Sequence, residues 1–153
     1  MSKRTSNMVS PRGHTQDHCI VASEDLARLQ QLCPDLNQWA RSWCCLPQDL
    51  AVGQQIVELL TPFLLELLHQ GLDQKTARRH RDNLWALGGE LIRRRHEDDD
   101  LARLNPTQIL KQLVEDDVGP LLWPRISESE QNSLDTTCRK LYRFLRDSKP
   151  ASD

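Results

Sequence analysis

The segment PQDLAVGQQIVELLTPFLLELLH, from Pro47 to His69, restricts the fold more than any other stretch of the chain. Its Val52, Ile56, Leu59, Leu60, Phe63, Leu64, Leu67 and Leu68 recur at helical spacing and spread over a wide apolar face. Such a helix is poorly suited to a surface, because each large apolar side chain left in water forgoes about 1.5–3 kcal/mol. It is expected to be the central element, with neighbours packed around it. Pro62 has no amide to bond one turn back, so a kink or a break is expected there. Gly71 supplies a left-handed residue to end the helix. The run LLTPFLLELL is about ten residues, contains Glu66 and reads as too short to span a bilayer, so no membrane partner is expected.

The remaining segments can supply the packing. SEDLARLQQLC starts at a Ser23 cap, carries Glu24 and Asp25 at the positive helix end, turns Leu26, Leu29 and Leu32 to one side and stops at Pro34. DLNQWARSWCC reads as a short helix capped by Asp35, with Leu36, Trp39, Ala40 and Trp43 at i, i+3, i+4 and i+7. Two indoles at that spacing read as core, not as a stacking platform for bases. Asp73 caps a long helix reaching His96, with Ala77, His80, Leu84, Leu87, Gly88, Leu91 and Ile92 inward and Trp85 at the edge. Lys75, Arg78, Arg79, Asp82, Glu90 and Arg93 fall on its other side. Gly88 would let another helix approach closely, and Gly89 lies toward the solvent flank. NPTQILKQLVEDD has an Asn105 cap, Pro106 in the first turn and Ile109, Leu110, Leu113 and Val114 inward. After the loop VGPLLWPRI, a Ser127 to Glu130 capping box opens a helix striped by Leu134, Cys138, Leu141, Tyr142 and Leu145.

No segment shows convincing strand alternation. The fold class is therefore all-α, a compact bundle of about six helices with no sheet. Residues 1–21 lack a period and are expected to form a disordered tail, 22–148 a single helical domain, and 149–153 a disordered end.

At 153 residues with 38% hydrophobic content the chain can bury a core of its own. A net charge of −2 gives no global attraction for nucleic acid or an anionic membrane, so any electrostatic role must be local. The five cysteines form no C-x-x-C pair and follow no secretory signal, which suggests reduced thiols in a cytoplasm. Cys33, Cys44 and Cys138 read mostly as small core hydrophobes. His14, His18 and Cys19 lie close together, but one polar cluster without a second ligand set is not expected to hold a metal. No cofactor is expected.

The long basic helix is the one segment that suggests a ligand. Arg93, Arg94 and Arg95 stand at its negative end and precede Glu97, Asp98 and Asp99 by four residues, so they are expected to be neutralised locally. Lys75, Arg78, Arg79 and Arg81 instead crowd the positive end, where only Asp82, four residues after Arg78, offers an obvious partner. Uncompensated cations beside free helix amides could clamp a phosphate. The alternative is a solvated face whose long stems cover apolar surface. His80 reads as a satisfied core histidine.

FLLELLHQGLDQKTARRHRDNLWALGGELI, from Phe63 to Ile92, resembles the SAM-like N-terminal core-binding domain of tyrosine recombinases and phage integrases, a likeness extending over residues 50–95. That family reads as a helix, a turn of the GLS type, then KT and a basic helix that lies against DNA. The resemblance implies a SAM-like helical core and places Lys75, Thr76, Arg78, Arg79 and Asn83 on double-stranded DNA. The chain departs from the family because no catalytic domain follows and Tyr142 in RKLYRFL lacks the recombinase arginines and histidine. LWALGGELIR and TCRKLYRFL also resemble short uncharacterised bacterial proteins linked to mobile elements.

Two functions compete. One is a noncatalytic DNA-binding or DNA-associated accessory domain. The other is a helical protein-interaction module, regulatory or antitoxin-like, that uses the acidic segments and the tryptophan loop to hold a protein partner. An enzyme is not expected, because the acid, base and nucleophile candidates are scattered singly over different helices.

Overall fold

The computed structural model describes residues 13–115 and 118–148, with side chains from residue 23 onward apart from Ser148. Among them are seven α-helices and no strand: α1 (Gly13–Leu32), α2 (Trp39–Ser42), α3 (Asp49–His69), α4 (Gln74–Glu97), α5 (Asp99–Ala102), α6 (Pro106–Val114) and α7 (Glu128–Ser148). A 3-10 turn over Leu36–Gln38 leads into α2. Six of the helices answer to the segments read from sequence. The addition is α5, a single turn built where the Asp98 carboxylate accepts the amides of Asp100 and Leu101.

The central position of α3 follows from its wide apolar face. Ile56, Leu60, Phe63, Leu64 and Leu67 are buried, and the helix packs against α1, α2, α4 and α6. By length and composition alone its 21 residues are long and apolar enough to cross a bilayer, a test that a buried core helix also passes. In this fold its buried face is covered by the neighbouring helices. Pro62 causes no break, and α3 runs through it. Pro62 and Glu58 are both exposed, so the carbonyl that loses its donor lies toward water, which can satisfy it. Gly71, at φ 71°, closes the turn that sends the chain into α4.

The inward stripe of α4 is the expected one. Ala77, His80, Leu84, Leu87, Gly88, Leu91 and Ile92 are all buried, and Trp85 stays at the edge, about half exposed. Gly88 faces Trp43, the residue just after α2; a Cβ would lie 2.3 Å from Trp43 Cζ2, so only glycine lets the indole lie across the helix. Gly89 is half-buried at the flank of this contact; its Cβ would lie 3.3 Å from Trp43 Cδ1. Trp39 and Trp43 are buried with ring centroids 5.8 Å apart, as core residues and not a stacking platform.

Several local expectations are corrected. α1 starts at Gly13, so residues 13–21, read as tail, are helical and Ser23 is not a cap. No proline or glycine interrupts the chain between His14 and Leu32, so nothing local stops the helix from extending. Residues 1–12 and 149–153 lie outside the described residues. Leu26 is exposed, while Leu29 and Leu32 are buried. Asp35 makes no side-chain cap; its carboxylate accepts the Cys33 thiol at 3.7 Å. Cys33 and Cys138 are buried, and burial pushes both thiols up to about 12. Cys44 is only half-buried.

Glu90 is the largest departure, because it is buried instead of lying on the solvent side. Its carboxylate takes Arg93 Nη2 at 2.6 Å and Arg125 Nη2 at 3.2 Å, and also pairs with Arg94 Nε. Burial pushes this carboxyl up, but the bonds from Arg93, Arg94 and Arg125 together outweigh it and bring the pKa down to about 2. Arg93 and Arg94 are thus neutralised mainly from within, although Arg93 also reaches Glu97 as expected. Asp98, expected opposite Arg94, is spent on capping α5.

Candidate nucleic-acid interface

The chain forms its basic face by a local device. After the Gly71 turn, Asp73 Oδ1 accepts the Thr76 amide at 2.7 Å and fixes the first turn of α4. With Ala77 and His80 drawn into the core, Lys75, Arg78 and Arg79 must point outward, and all three are exposed. Among the described residues none of them has a carboxylate within ion-pairing distance. Asp82, the partner expected for Arg78, lies 2.9 Å from Arg81 instead. Arg81 also donates to the Leu32 carbonyl at 2.7 Å, so its charge is used inside the fold.

These residues line an open cleft of about 1600 Å³ bounded by the start of α4, the first half of α7 and the loop residues Leu122 and Ile126. Lysine and arginine at 75, 78, 79, 81 and 140 face carboxylates only at 35, 82 and 130. Each of those carboxylates is engaged. Asp82 pairs with Arg81, Glu130 closes the α7 capping box with Ser127, and Asp35 accepts the Cys33 thiol. Among the described residues only Asp82 of these three is ion-paired, while Asp35 and Glu130 keep their charge against neutral donors, so the cleft carries five cations against three carboxylates, a local excess of positive charge.

All five residues expected on DNA, namely Lys75, Thr76, Arg78, Arg79 and Asn83, line this cleft, but in two different ways. Lys75, Arg78 and Arg79 present free charge. Thr76 is half-buried and its amide serves the Asp73 cap, so the helix end is not the open anion cradle that the sequence suggested. Asn83 is also half-buried, and its Nδ2 lies within 2.8–3.1 Å of Ser133 O, Ser133 Oγ and Thr137 Oγ1. It holds α4 to α7. His80 sits beside it, buried, with Nδ1 2.7 Å from Thr137 Oγ1. Burial, then the charges of Lys140 and Arg79, hold the imidazole below its ordinary value, as befits a neutral core histidine.

Lys140 was not legible as a member of this site. It comes from α7, and only the packing of α7 on α4 brings it to the cleft. At the far end of α4, Cys45, Asp49 and His96 bring their ligand atoms within 4.8 Å of one another, a constellation that sequence reasoning also missed. Cys45 and Asp49 lie four positions apart, but His96 joins them only through the fold.

No family model, curated protein or solved structure matches the chain.

Proposed function

We propose that this chain is a noncatalytic DNA-associated accessory domain that holds duplex phosphates through Lys75, Arg78 and Arg79, with Lys140 adding charge from the α7 side of the cleft. The observation that carries the reading is the set of three exposed cations within the first two turns of one long helix, with no ion-pair partner among the described residues. The Asp73 carboxylate acts on Arg79 and Lys75 only from beyond ion-pairing distance, so the three cations remain open to a ligand. The resemblance to the integrase core-binding domain, which implies DNA contact by the same basic helix, supports the same reading.

Contacts of this kind fix position and carry little base preference. With about three phosphates neutralised, log affinity should fall against log salt with a slope near −3, so raising salt from 50 to 200 mM should cost on the order of 50-fold. Electrophoretic shifts with duplex DNA at those two concentrations test the reading.

A second reading has its own observation. Val118, Leu121 and Trp123 are exposed in the loop before α7, with Leu121 67% and Trp123 50% exposed. Apolar exposure of this kind suits a protein partner, the helical interaction module, whose binding would be almost insensitive to salt and would fail on Trp123→Ala.

A further inference from the structure

The geometry points to a binding site for a zinc-class divalent cation formed by Cys45, Asp49 and His96, at the end of the molecule where the start of α3 meets the last turn of α4. The three ligand atoms lie within 4.8 Å of one another, close enough for one cation to draw them together with small side-chain movements. They combine a thiol, a carboxylate and an imidazole. Thiolate and imidazole select zinc-like metals over magnesium or calcium, and three protein ligands leave a fourth position for water.

The state of Asp49 is the second observation. Its side chain is only 1% exposed, although it stands in the first turn of a helix. One oxygen, Oδ2, accepts the amides of Cys45 at 3.0 Å and Leu46 at 2.8 Å and lies 2.9 Å from His96 Nε2. The other, Oδ1, is buried without any hydrogen-bond partner; Arg95 Nε is the only other such atom found among the described side chains. A buried carboxylate oxygen left without a donor is costly, and a cation satisfies it directly. The two amide bonds meanwhile orient the carboxylate from the same short segment that carries Cys45, as outer-shell donors orient metal ligands. The neighbouring Cys44 thiol donates to the Leu46 carbonyl at 2.9 Å and is occupied there.

On binding, the Cys45 thiol loses its proton to solvent and its sulfur bonds the cation. The proton that His96 Nε2 donates to Asp49 Oδ2 leaves through solvent and Nδ1 carries the ring's remaining proton, so that Nε2 of the neutral imidazole binds the cation and the hydrogen bond gives way to two bonds from these residues to the shared ion. No oxidation state changes.

The test uses the full chain, freed of metal with a chelator and kept reduced with a phosphine, then titrated with cobalt(II) and afterwards with zinc(II). A thiolate-to-cobalt charge-transfer absorption should appear at one ion per chain and vanish as zinc displaces cobalt. Cys45→Ser should abolish the absorption, and His96→Gln should weaken zinc binding by about 100-fold or more in competition with a chromophoric chelator. Both residues are exposed, and unchanged circular dichroism confirms that the variants remain folded. Absence of the charge-transfer absorption in the parent overturns the site and leaves Asp49 and His96 as a simple pair. Absorption that persists in both variants also overturns it and directs attention to His14, His18 and Cys19.

Discussion

Replacing Gly88 with alanine should destabilise the protein by about 3 kcal/mol, although alanine is the better helix former. The new methyl carbon would lie 2.3 Å from Trp43 Cζ2 and 2.4 Å from Cη2, where carbon atoms ordinarily stand 3.5–4.0 Å apart. The indole must therefore shift by more than 1 Å, roughly the shortfall in contact distance. It has little freedom to do so, being 6% exposed, stacked at a tilt on Trp39 and tied through Nε1 to the Trp85 carbonyl at 3.0 Å. Overpacking at a site this rigid costs about 3 kcal/mol, loss of the indole hydrogen bond adds about 1, and helix propensity returns about 1. For a chain of this length the melting temperature should fall by about 9 °C. Gly89→Ala is the control, since its methyl meets Trp43 Cδ1 at 3.3 Å and needs a shift of only a few tenths of an ångström, whose cost the helix-propensity gain of about 1 kcal/mol offsets; it should change stability by less than about 1 kcal/mol. Thermal melts by circular dichroism read both variants. Gly88→Ala melting within about 2 °C of the parent, or above Gly89→Ala, would refute the close packing of the Trp43 indole on α4.

Two further outcomes follow from the core. The Glu90 carboxyl is held at about 2 against an ordinary 4.5, so its contribution is complete above pH 4.5 and disappears as pH falls toward 2. That gap is worth on the order of 3 kcal/mol, and urea melts between pH 5 and 2 should show an acid limb that Glu90→Gln flattens; an equally steep limb in the variant would place the cause elsewhere. Leu87→Asp should leave the chain unfolded at 25 °C, because Leu87 is fully buried and an unpaired carboxylate there costs several kcal/mol, comparable with total stability. A cooperative melt near the parent temperature would show that the inward face of α4 is wrongly assigned.

Features of the fold determined within one or two turns were legible in the sequence. The caps at Asp73, Asn105 and Ser127 each sit three residues from the amide they satisfy, and the stripes of α4, α6 and α7 follow from helical period alone. What stayed illegible depends on distant neighbours. Glu90 looks solvated by its position on the helix, and only the rest of the fold, with Arg125 35 residues onward, makes it a buried hub. Asn83 looked available to a ligand until α7, some 50 residues later, took its amide. The candidate cleft was half legible for the same reason. Lys75, Arg78 and Arg79 come from one short helical stretch, whereas Lys140 and the transfer of Asp82 from Arg78 to Arg81 emerge only from side-chain placement. Cys45, Asp49 and His96 were wholly hidden, since no local spacing joins the first two to a histidine 47 residues beyond Asp49.

The decisive measurement compares two triple substitutions that remove equal charge. Lys75→Gln, Arg78→Gln and Arg79→Gln together take the free cations from the cleft, while Arg103→Gln, Lys111→Gln and Arg146→Gln together remove exposed cations outside it. Glutamine keeps helix propensity close to that of the residues replaced, so both proteins should melt like the parent. Fluorescence anisotropy with a labelled duplex, titrated at several salt concentrations, should give a parent slope near −3, a similar slope for the second triple, and a slope near zero with at least about 50-fold weaker binding at low salt for the first. Equal losses from the two triples, or no binding by the parent at micromolar concentration in low salt, would contradict the assignment of the α4 cleft to DNA.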